Sequence, residues 1–375
     1  MTDPSAQTLC ATIEDAGHVA LFVGGCVRNA LLHQPASDID IATDATPVQV
    51  MTLVQDAGLR CVPTGVAHGT VTVVADGRAY EVTTFRRDVS TDGRRAVVAF
   101  SNSIEEDARR RDFTMNALYA DRTGAIVDPL GGLPDVQAGH VRFIEDAAQR
   151  IREDYLRTLR FFRFHAWYAA ADAGFDADAL AGIAANLDGL STLSAERVGA
   201  ELTKLLSAPD PAPALGAMAQ TGVLATVLPG ADPTLVAPLV RIEQDAAVAP
   251  DPMTRLAALG GEHTVTRLRL SRAKHRRFDL IRTYAVSPFG ARAVGHLLGQ
   301  AAGIGALALR AAMANQMLPP DTAKDVAHGA TTDFPVKASD LPKLQGKALG
   351  DKLADLKQQW LGSNLSKSKN TLLGR

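Results

Sequence analysis

Two carboxylates at spacing two, Asp38 and Asp40, flank Ile39 in the stretch D-I-D-I-A-T. On a β-strand, residues two apart share a face, so these acids would sit side by side. Like charges at that separation repel unless a cation lies between them. Mg²⁺ is the expected cation, because it is hard, prefers carboxylate oxygens and commonly arrives with substrate phosphates. Just upstream, Leu21-Phe22-Val23 reads as a short apolar strand that runs into Gly24-Gly25. Val27, Arg28, Ala30, Leu31 and Leu32 then read as a helix. Paired glycines opening a helix let backbone N–H groups approach a triphosphate, and the helix N-terminus adds positive potential. A D-x-D alone is common on exposed strand ends, and a G-G alone is usually a turn. In this order, metal carboxylates beside a phosphate cradle point to nucleotidyl transfer.

Three further groups carry chemistry. Glu81 lies on the second strand of an expected hairpin, in which runs starting at Gly69 and Ala79 are joined around Asp76-Gly77. It is either a solvent-facing glutamate or, if the strands are neighbours, a third carboxylate near Asp38 and Asp40. In E-D-A-R-R-R-D-F-T-M-N-A-L a helix is expected to open at Ser103 with a capping box. Arg110 and Arg111 suit phosphate, since guanidinium pairs bidentately with oxyanions. Asp112 and Asn116, four apart, would share a helical face. In the stretch from Ile151 to Tyr168, helical spacing turns Ile151, Leu156, Leu159 and Phe162 inward and leaves Glu153, Asp154, Arg157 and Arg160 elsewhere. One reading of those charges is a pair of helix salt bridges worth about 0.2–0.5 kcal/mol each. The other makes Asp154 and Arg157 a protein template for a base, with Arg donating to a ring nitrogen and Asp accepting from an exocyclic amine. Cytosine and adenine present that pattern, whereas uracil and guanine invert it, so a template of this kind predicts selection of CTP and ATP.

These stretches together resemble the nucleotidyltransferase family that holds bacterial tRNA CCA-adding enzymes and poly(A) polymerases. G-G-C-V-R-N followed by D-I-D-I-A-T is similar to that family's G-G-x-V-R-D and D-x-D-I-A-T. It departs at Asn29, where Asp is usual, keeping a hydrogen-bonding side chain without the charge. Arg110–Ala117 is similar to R-R-D-F-T-x-N-A, and Val127–Asp135 resembles a D-P-x-G-G-x-x-D hinge. Glu153, Asp154 and Arg157 match E-D-x-x-R, and the stretch after Leu193 resembles S-x-E-R-x-x-x-E-L. The likeness is strong from Val19 to Leu206 and loose beyond.

The resemblance implies an α+β fold: a small mixed-sheet, polymerase-β-like nucleotidyltransferase head over residues 1–136, then all-helical segments. These would be a neck with the base template over 137–208, an RNA-binding body over 209–300 and an RNA-binding tail over 301–375. It implies CCA addition to tRNA 3′ ends from CTP and ATP without a nucleic-acid template. The RNA 3′-hydroxyl would attack an α-phosphate and pyrophosphate would leave. Asp38 and Asp40 would hold two Mg²⁺ ions, Glu81 would be a third acidic catalytic group, and Asp112 would accept from the ribose 2′-hydroxyl. The implied nucleotide-binding set is Gly24, Gly25, Arg28, Arg110, Arg111, Asp112, Asn116, Glu153, Asp154, Arg157 and Arg160. A poly(A) polymerase, a partial A-adding or CC-adding enzyme, and an inactive RNA-binding protein on the same scaffold are the alternatives. The long basic C-terminal extension expected of many poly(A) polymerases is not evident.

Composition sets wider bounds. With 375 residues, net charge −2 and 46% hydrophobic residues, the chain has room for two or more domains. Its polar N-terminus lacks the apolar segment of a signal peptide, and the run Ala301–Ala314 is too short and broken to span a bilayer. Cys10, Cys26 and Cys61 lack metal-ligand spacing and read as free thiols of a reducing cytoplasm. A helix is expected from Val50 to Gly58, a mobile loop over the site from Val89 to Ser101, and a helix capped by Ser194. Short helices follow Pro209. The basic stretch Arg267–Arg277 and Lys337, Lys343, Lys347, Lys352 and Lys357 are candidate RNA contacts. The nine histidines form no His-Asp phosphohydrolase pattern.

Overall fold

Short polar side chains start many of the helices. Asp3 accepts from the Ala6 amide to cap α1 (Pro4–Asp15), which buries Leu9, Cys10 and Ile13. Next come β1 (Ala20–Val23), α2 (Gly25–Leu31) and β2 (Asp40–Thr43). Thr46 and Gln49 form a reciprocal capping box on α3 (Pro47–Asp56), which begins three residues earlier than expected. The computed structural model describes residues 2–35, 38–92 and 95–375, with 88–92 and 95–98 described through the backbone alone.

Then come β3 (Arg60–Gly65), β4 (Thr70–Ala75) and β5 (Arg78–Thr84). β4 and β5 form the expected hairpin, pairing Val74 with Ala79 and Ala75 with Arg78. Asp76 and Gly77, at φ 48° and 75°, supply the two left-handed residues that a tight hairpin turn needs. After β5 the structure departs from expectation. Instead of a loop, β6 (Arg86–Asp92) and β7 (Arg95–Phe100) pair as a two-stranded antiparallel ribbon with an irregularity between Asp88 and Ser90. Gly93 and Arg94 of the expected loop lie outside the described residues. Ribbon pairing satisfies backbone groups in a segment whose polar side chains gave no periodic signal.

α4 (Ile104–Arg109) precedes β8 (Tyr119–Ala120) and β9 (Ile126–Val127). The main sheet has the order β3-β4-β5-β2-β1-β8-β9. Every pair is antiparallel except β2 with β5, so the sheet is mixed. The parallel pair lies in the middle, where β1 is buried at all four residues. Leu21, Val23, Ala42, Phe85, Ala108, Tyr119 and Ile144 form an apolar cluster beneath the chemistry-bearing ends of these strands.

α5 (Leu133–Ala138), α6 (Ala147–Glu153), α7 (Leu156–Tyr168) and α8 (Ala177–Ala184) complete a first compact unit, Met1–Leu193. Near residue 136 the chain is knitted into this unit. Gly132 lies so close to the Thr114 carbonyl that a Cβ would overlap it, and the Thr114 hydroxyl donates to Asp135 at 2.5 Å. A phenylalanine core welds α7 to the preceding segments. Phe113 packs 5.0 Å from Phe143 and 4.9 Å from Phe164, and Phe143 stacks on Phe161 at 5.6 Å.

The second unit, Ser194–Arg375, is helical. Ser194 caps the helix Ala195–Leu206 through the Arg197 amide, as expected. The last carbonyls of that helix and its exit, Leu206, Ala208 and Pro209, accept from the buried guanidinium of Arg255, which is also paired with Glu243 at 2.8 Å. The helix Arg272–Ala285 exposes Arg272, Lys274 and Arg276, while Arg277 is paired with Asp251. No helix among the described residues is long and apolar enough to cross a membrane.

Candidate active site

The parallel pairing of β2 and β5 makes the strands neighbours and sets Asp40 directly opposite Glu81, which is exposed to solvent and whose charge acts on Asp40. β2 is shorter than expected. It begins at Asp40, so Asp38 lies on the approach to the strand and is exposed. Asp38 is still close enough to act on Asp40. Burial first, then the Glu81 and Asp38 charges, push the Asp40 carboxyl above the usual carboxylate range, while Arg111 opposes them. Asp40 and Glu81, with Asp38 on the approach, are hard oxygen donors whose charges act on one another, and donors of this kind fit a divalent cation such as Mg²⁺. Among the described residues no group of three or more His, Cys, Asp or Glu side chains is placed to hold a metal ion by itself. Mg²⁺ sites commonly use one or two carboxylates and take the remaining oxygens from phosphates and water.

Beside these acids stands the glycine pair. Gly24 caps α2 with φ 71° and ψ −118°, a conformation open to glycine, and its N–H donates to the Leu118 carbonyl at 3.0 Å. A Cβ at this position would come 3.3 Å from Arg111 Nη1, so glycine also leaves room for that guanidinium. Arg111 is braced from the other side. Its Nε and Nη2 donate to Asp107 Oδ2 at 3.3 and 3.0 Å, and Nε also reaches the Tyr119 hydroxyl at 3.2 Å. Arg110 Nε donates to the other Asp107 oxygen at 3.0 Å. Asp107 is 1% exposed and additionally accepts from Tyr119 at 2.7 Å. Burial would raise its pKa, but Arg111 and Arg110 hold it down at about 2. Sequence reasoning passed over Asp107. Its signal was the spacing of three and four to Arg110 and Arg111.

α4 ends at Arg109, so Asp112 and Asn116 do not share a face of one continuing helix. A 3₁₀ turn over Thr114–Asn116 brings them together instead, and the Asn116 amide donates to Asp112 Oδ1 at 2.9 Å. Asp112 Oδ2 accepts from Arg160 of α7 at 2.5–2.6 Å. Against burial, Arg160 and then Asn116 hold the Asp112 carboxyl at about 2. Arg28 is buried too. It donates to Asn116 Oδ1, to Asn29 Oδ1 at 2.9 Å and to the Tyr168 hydroxyl at 2.8 Å, and its guanidinium lies 3.9 Å over the Tyr168 ring. Asn29 in turn donates to the Pro35 carbonyl at 2.9 Å, a bond that the carboxylate of Asp could not make.

The base-reading candidates also sit differently from expectation. Glu153 closes α6 and Arg157 lies in the first turn of α7, while Asp154 and Tyr155 form the break between the two helices. Asp154 has extended backbone (φ −153°, ψ 105°), and one of its carboxylate oxygens accepts from the Leu156 amide at 3.1 Å. Arg157 Nη1 donates to Glu153 at 2.6 Å and to the Arg150 carbonyl at 3.0 Å, and Nη2 donates to the Arg110 carbonyl at 3.0 Å. Arg150 reaches the Arg109 carbonyl and Glu153. Two guanidinium groups from α6 and α7 therefore grip the end of α4, at the root of the Arg110–Asp112 segment.

Carboxylates opposed on parallel central strands, next to a glycine-capped helix and a braced arginine, form the arrangement of a nucleotidyltransferase head. Residues 20–142 match the family described as the Poly A polymerase head domain. Residues 175–235 match the probable RNA and SrmB-binding site of polymerase A. The CCA tRNA nucleotidyltransferase 1, mitochondrial, of Mus musculus is 32% identical over 388 residues, 98% of this chain and 88% of that protein. The CCA-adding enzyme of Geobacillus thermodenitrificans is 44% identical over 218 residues, 57% of this chain and about half (52%) of the relative's length. The Bacillus stearothermophilus CCA-adding enzyme, solved in complex with CTP, superposes with a TM-score of 0.77 at 29% identity, covering 100% of this chain and 98% of that one. The chain belongs to the family of CCA-adding tRNA nucleotidyltransferases and poly(A) polymerases.

Proposed function

We propose that this chain adds CCA to tRNA 3′ ends, using CTP and ATP and releasing pyrophosphate. The observation that carries this reading is the continuity of the site. The Asp40–Glu81 pair, the Gly24–Arg111 cradle, Asp112 and the Glu153–Arg157 cluster all belong to one compact unit. Arg157 to the Arg110 carbonyl and Arg160 to Asp112 join the base-reading end to the sugar- and phosphate-facing end.

In this reading Arg111, and Arg110 beside it, meet the triphosphate oxygens. Arg111 is braced so that Nη1 faces Gly24. Asp112 accepts from the ribose 2′-hydroxyl, keeping its Arg160 and Asn116 bonds. Arg28 holds Asn116 in place from within the protein. Asp154 and Arg157 read the base edge, and Glu153 and Arg150 fix Arg157. Asp38 and Asp40, with Glu81 beside them, would hold Mg²⁺, which when bound activates the attacking hydroxyl and stabilises charge on the leaving oxygens. The head, neck, body and tail division at residues 136, 208 and 300 belongs to this proposal, as does tRNA binding by the basic helices of the second unit.

The test offers the protein tRNAs that end before C74, after C74 and after C75, with each nucleotide supplied singly. CMP should be added to the first two and AMP to the third, with pyrophosphate released in step. Repeated AMP addition to any RNA end would identify a poly(A) polymerase. Addition at only one kind of end would identify a partial enzyme, and no pyrophosphate at all an inactive binder.

A further inference from the structure

The break between α6 and α7 places Asp154 and Tyr155 between the two helices, where Asp154 accepts from the Leu156 amide through its side chain and from the Arg157 amide through its carbonyl, so its direction follows the backbone of the break. Arg157 is held by three bonds to Glu153 and the carbonyls of Arg150 and Arg110. A template needs both side chains at one base edge, and misplacement of about 1 Å can cost on the order of a hundredfold. Something must therefore fix the break.

The ring of Tyr155 lies directly against the backbone of Gly189, and a Cβ built on Gly189 would fall within that ring. Gly189 has no positive φ, so its backbone would accept alanine and the ring is the obstacle. The surface under the ring is firm. Gly189 sits in a 3₁₀ turn over Leu187–Thr192 that is anchored by the buried Leu190. Its N–H donates to the Asn186 carbonyl at 3.3 Å, and its carbonyl accepts from Thr192 Oγ1 at 2.7 Å. Asn186 is tied back to α8 through the Gly182 carbonyl at 2.7 Å.

We propose that Gly189 and Tyr155 are positioning residues for nucleotide selection: the glycine is a flat seat whose contact with the ring sets the α6–α7 break and so aims Asp154 alongside Arg157. This rests on the reading of Asp154 and Arg157 as the base template. Gly189→Ala pushes the ring off its seat and turns Asp154 away, while the groups that hold Arg157 stay in place.

The experiment measures kcat/KM for CTP, ATP, UTP and GTP on the matching tRNA ends, with melting temperatures, for Gly189→Ala, Tyr155→Ala, Tyr155→Phe, the Gly189→Ala/Tyr155→Ala double variant and Arg157→Ala. Gly189→Ala and Tyr155→Ala should each lower the preference for CTP and ATP over UTP and GTP about tenfold. Tyr155→Phe should keep it, because the ring remains. The double variant should be no worse than Tyr155→Ala, since without the ring an alanine at 189 meets nothing. If Gly189→Ala does not fold, the contrast between Tyr155→Ala and Tyr155→Phe decides. Unchanged selectivity in Tyr155→Ala, or independent losses that multiply in the double variant, overturns the seat while Arg157→Ala still relaxes selectivity. Unchanged selectivity in Arg157→Ala overturns the template reading itself, and the seat with it.

Discussion

Two sets of carboxylates in the same unit are treated in opposite ways. Asp38, Asp40 and Glu81 are gathered where β2 and β5 run parallel, partly open to water, and Asp40 is driven above its ordinary pKa by burial and by its neighbours. Asp107 and Asp112 are more deeply buried, yet both are held at about 2 by the guanidinium groups of Arg110, Arg111 and Arg160. In the first set the Glu81 and Asp38 charges act against Asp40, and the proposed cation would relieve that repulsion. The second is compensated internally and stiffens Arg110, Arg111 and Arg160, the first two of which are proposed to meet the triphosphate. A site for an incoming cation and a site for an anionic substrate therefore need opposite preparation: excess negative charge in one, and arginines locked by buried acids in the other.

This contrast makes predictions of opposite sign. Asp40→Asn should lower turnover at least about a hundredfold, as expected when a group that supports developing charge is removed. It should leave the melting temperature equal or higher, because one of three repelling charges is gone. Near-normal turnover, or a clear loss of stability, would break the contrast on this side.

Asp107→Asn should behave the other way. Breaking a buried pair strands Arg110 and Arg111, so stability should fall by about 3 kcal/mol in denaturant titration. kcat/KM should fall on the order of tenfold as Arg111 loses its brace. A variant as stable as the parent would show that Asp107 is not the keystone its contacts suggest.

Asp112→Asn keeps the shape and removes the charge. It should cost about 1–2 kcal/mol of preference for ATP over dATP, or roughly tenfold, with tRNA binding little changed. Undiminished ribose preference would move the sugar check to another group.

The smallest effect is a pH dependence of stability. Asp107 and Asp112 have folded pKa values near 2, below their ordinary value of 3.8. The folded state therefore takes up their protons less readily than the unfolded state does. Their stabilisation, about 2 kcal/mol each, is fully present above about pH 4–5 and is lost as pH falls through 4 toward 2. Asp40, with its raised pKa, opposes folding at neutral pH and ceases to do so as it protonates. Acid unfolding of Asp107→Asn should accordingly be shallower between pH 4 and 2 than that of the parent.

Much of this was legible from local chemistry. The apolar run before Gly24-Gly25, the Asp76-Gly77 turn between alternating runs and the Ser194 cap depend on a few adjacent residues and formed as expected, whereas Ser103 caps its helix without the reciprocal bond of a capping box, because the Glu106 carboxylate accepts from Ser101. The mixed sheet followed from the motif resemblance, and the helical second half from patterning as well. Several geometric details did not. Asp38 falls before its strand, α4 stops at Arg109, the segment after Phe85 pairs as a ribbon, and the helix expected through Asp154 is broken there. In each case the deciding partner is distant in the chain or satisfies backbone groups that carry no side-chain signal.

The sequence by itself determined which chemistry was on hand: paired acids, glycines before a helix, an arginine pair and an acid–arginine motif, each readable because its spacing is short. Only the tertiary structure decided which acid neighbours which. Glu81 meets Asp40 through a parallel strand pairing across 40 intervening positions. Asp107 became the brace of Arg111 through its burial beside Tyr119. Arg157 took hold of the Arg110 carbonyl across 47 positions, and Tyr155 found its seat on Gly189. Such contacts follow from how buried surfaces close over one another, and no local pattern encodes them, because the energy that selects them belongs to the whole packed unit.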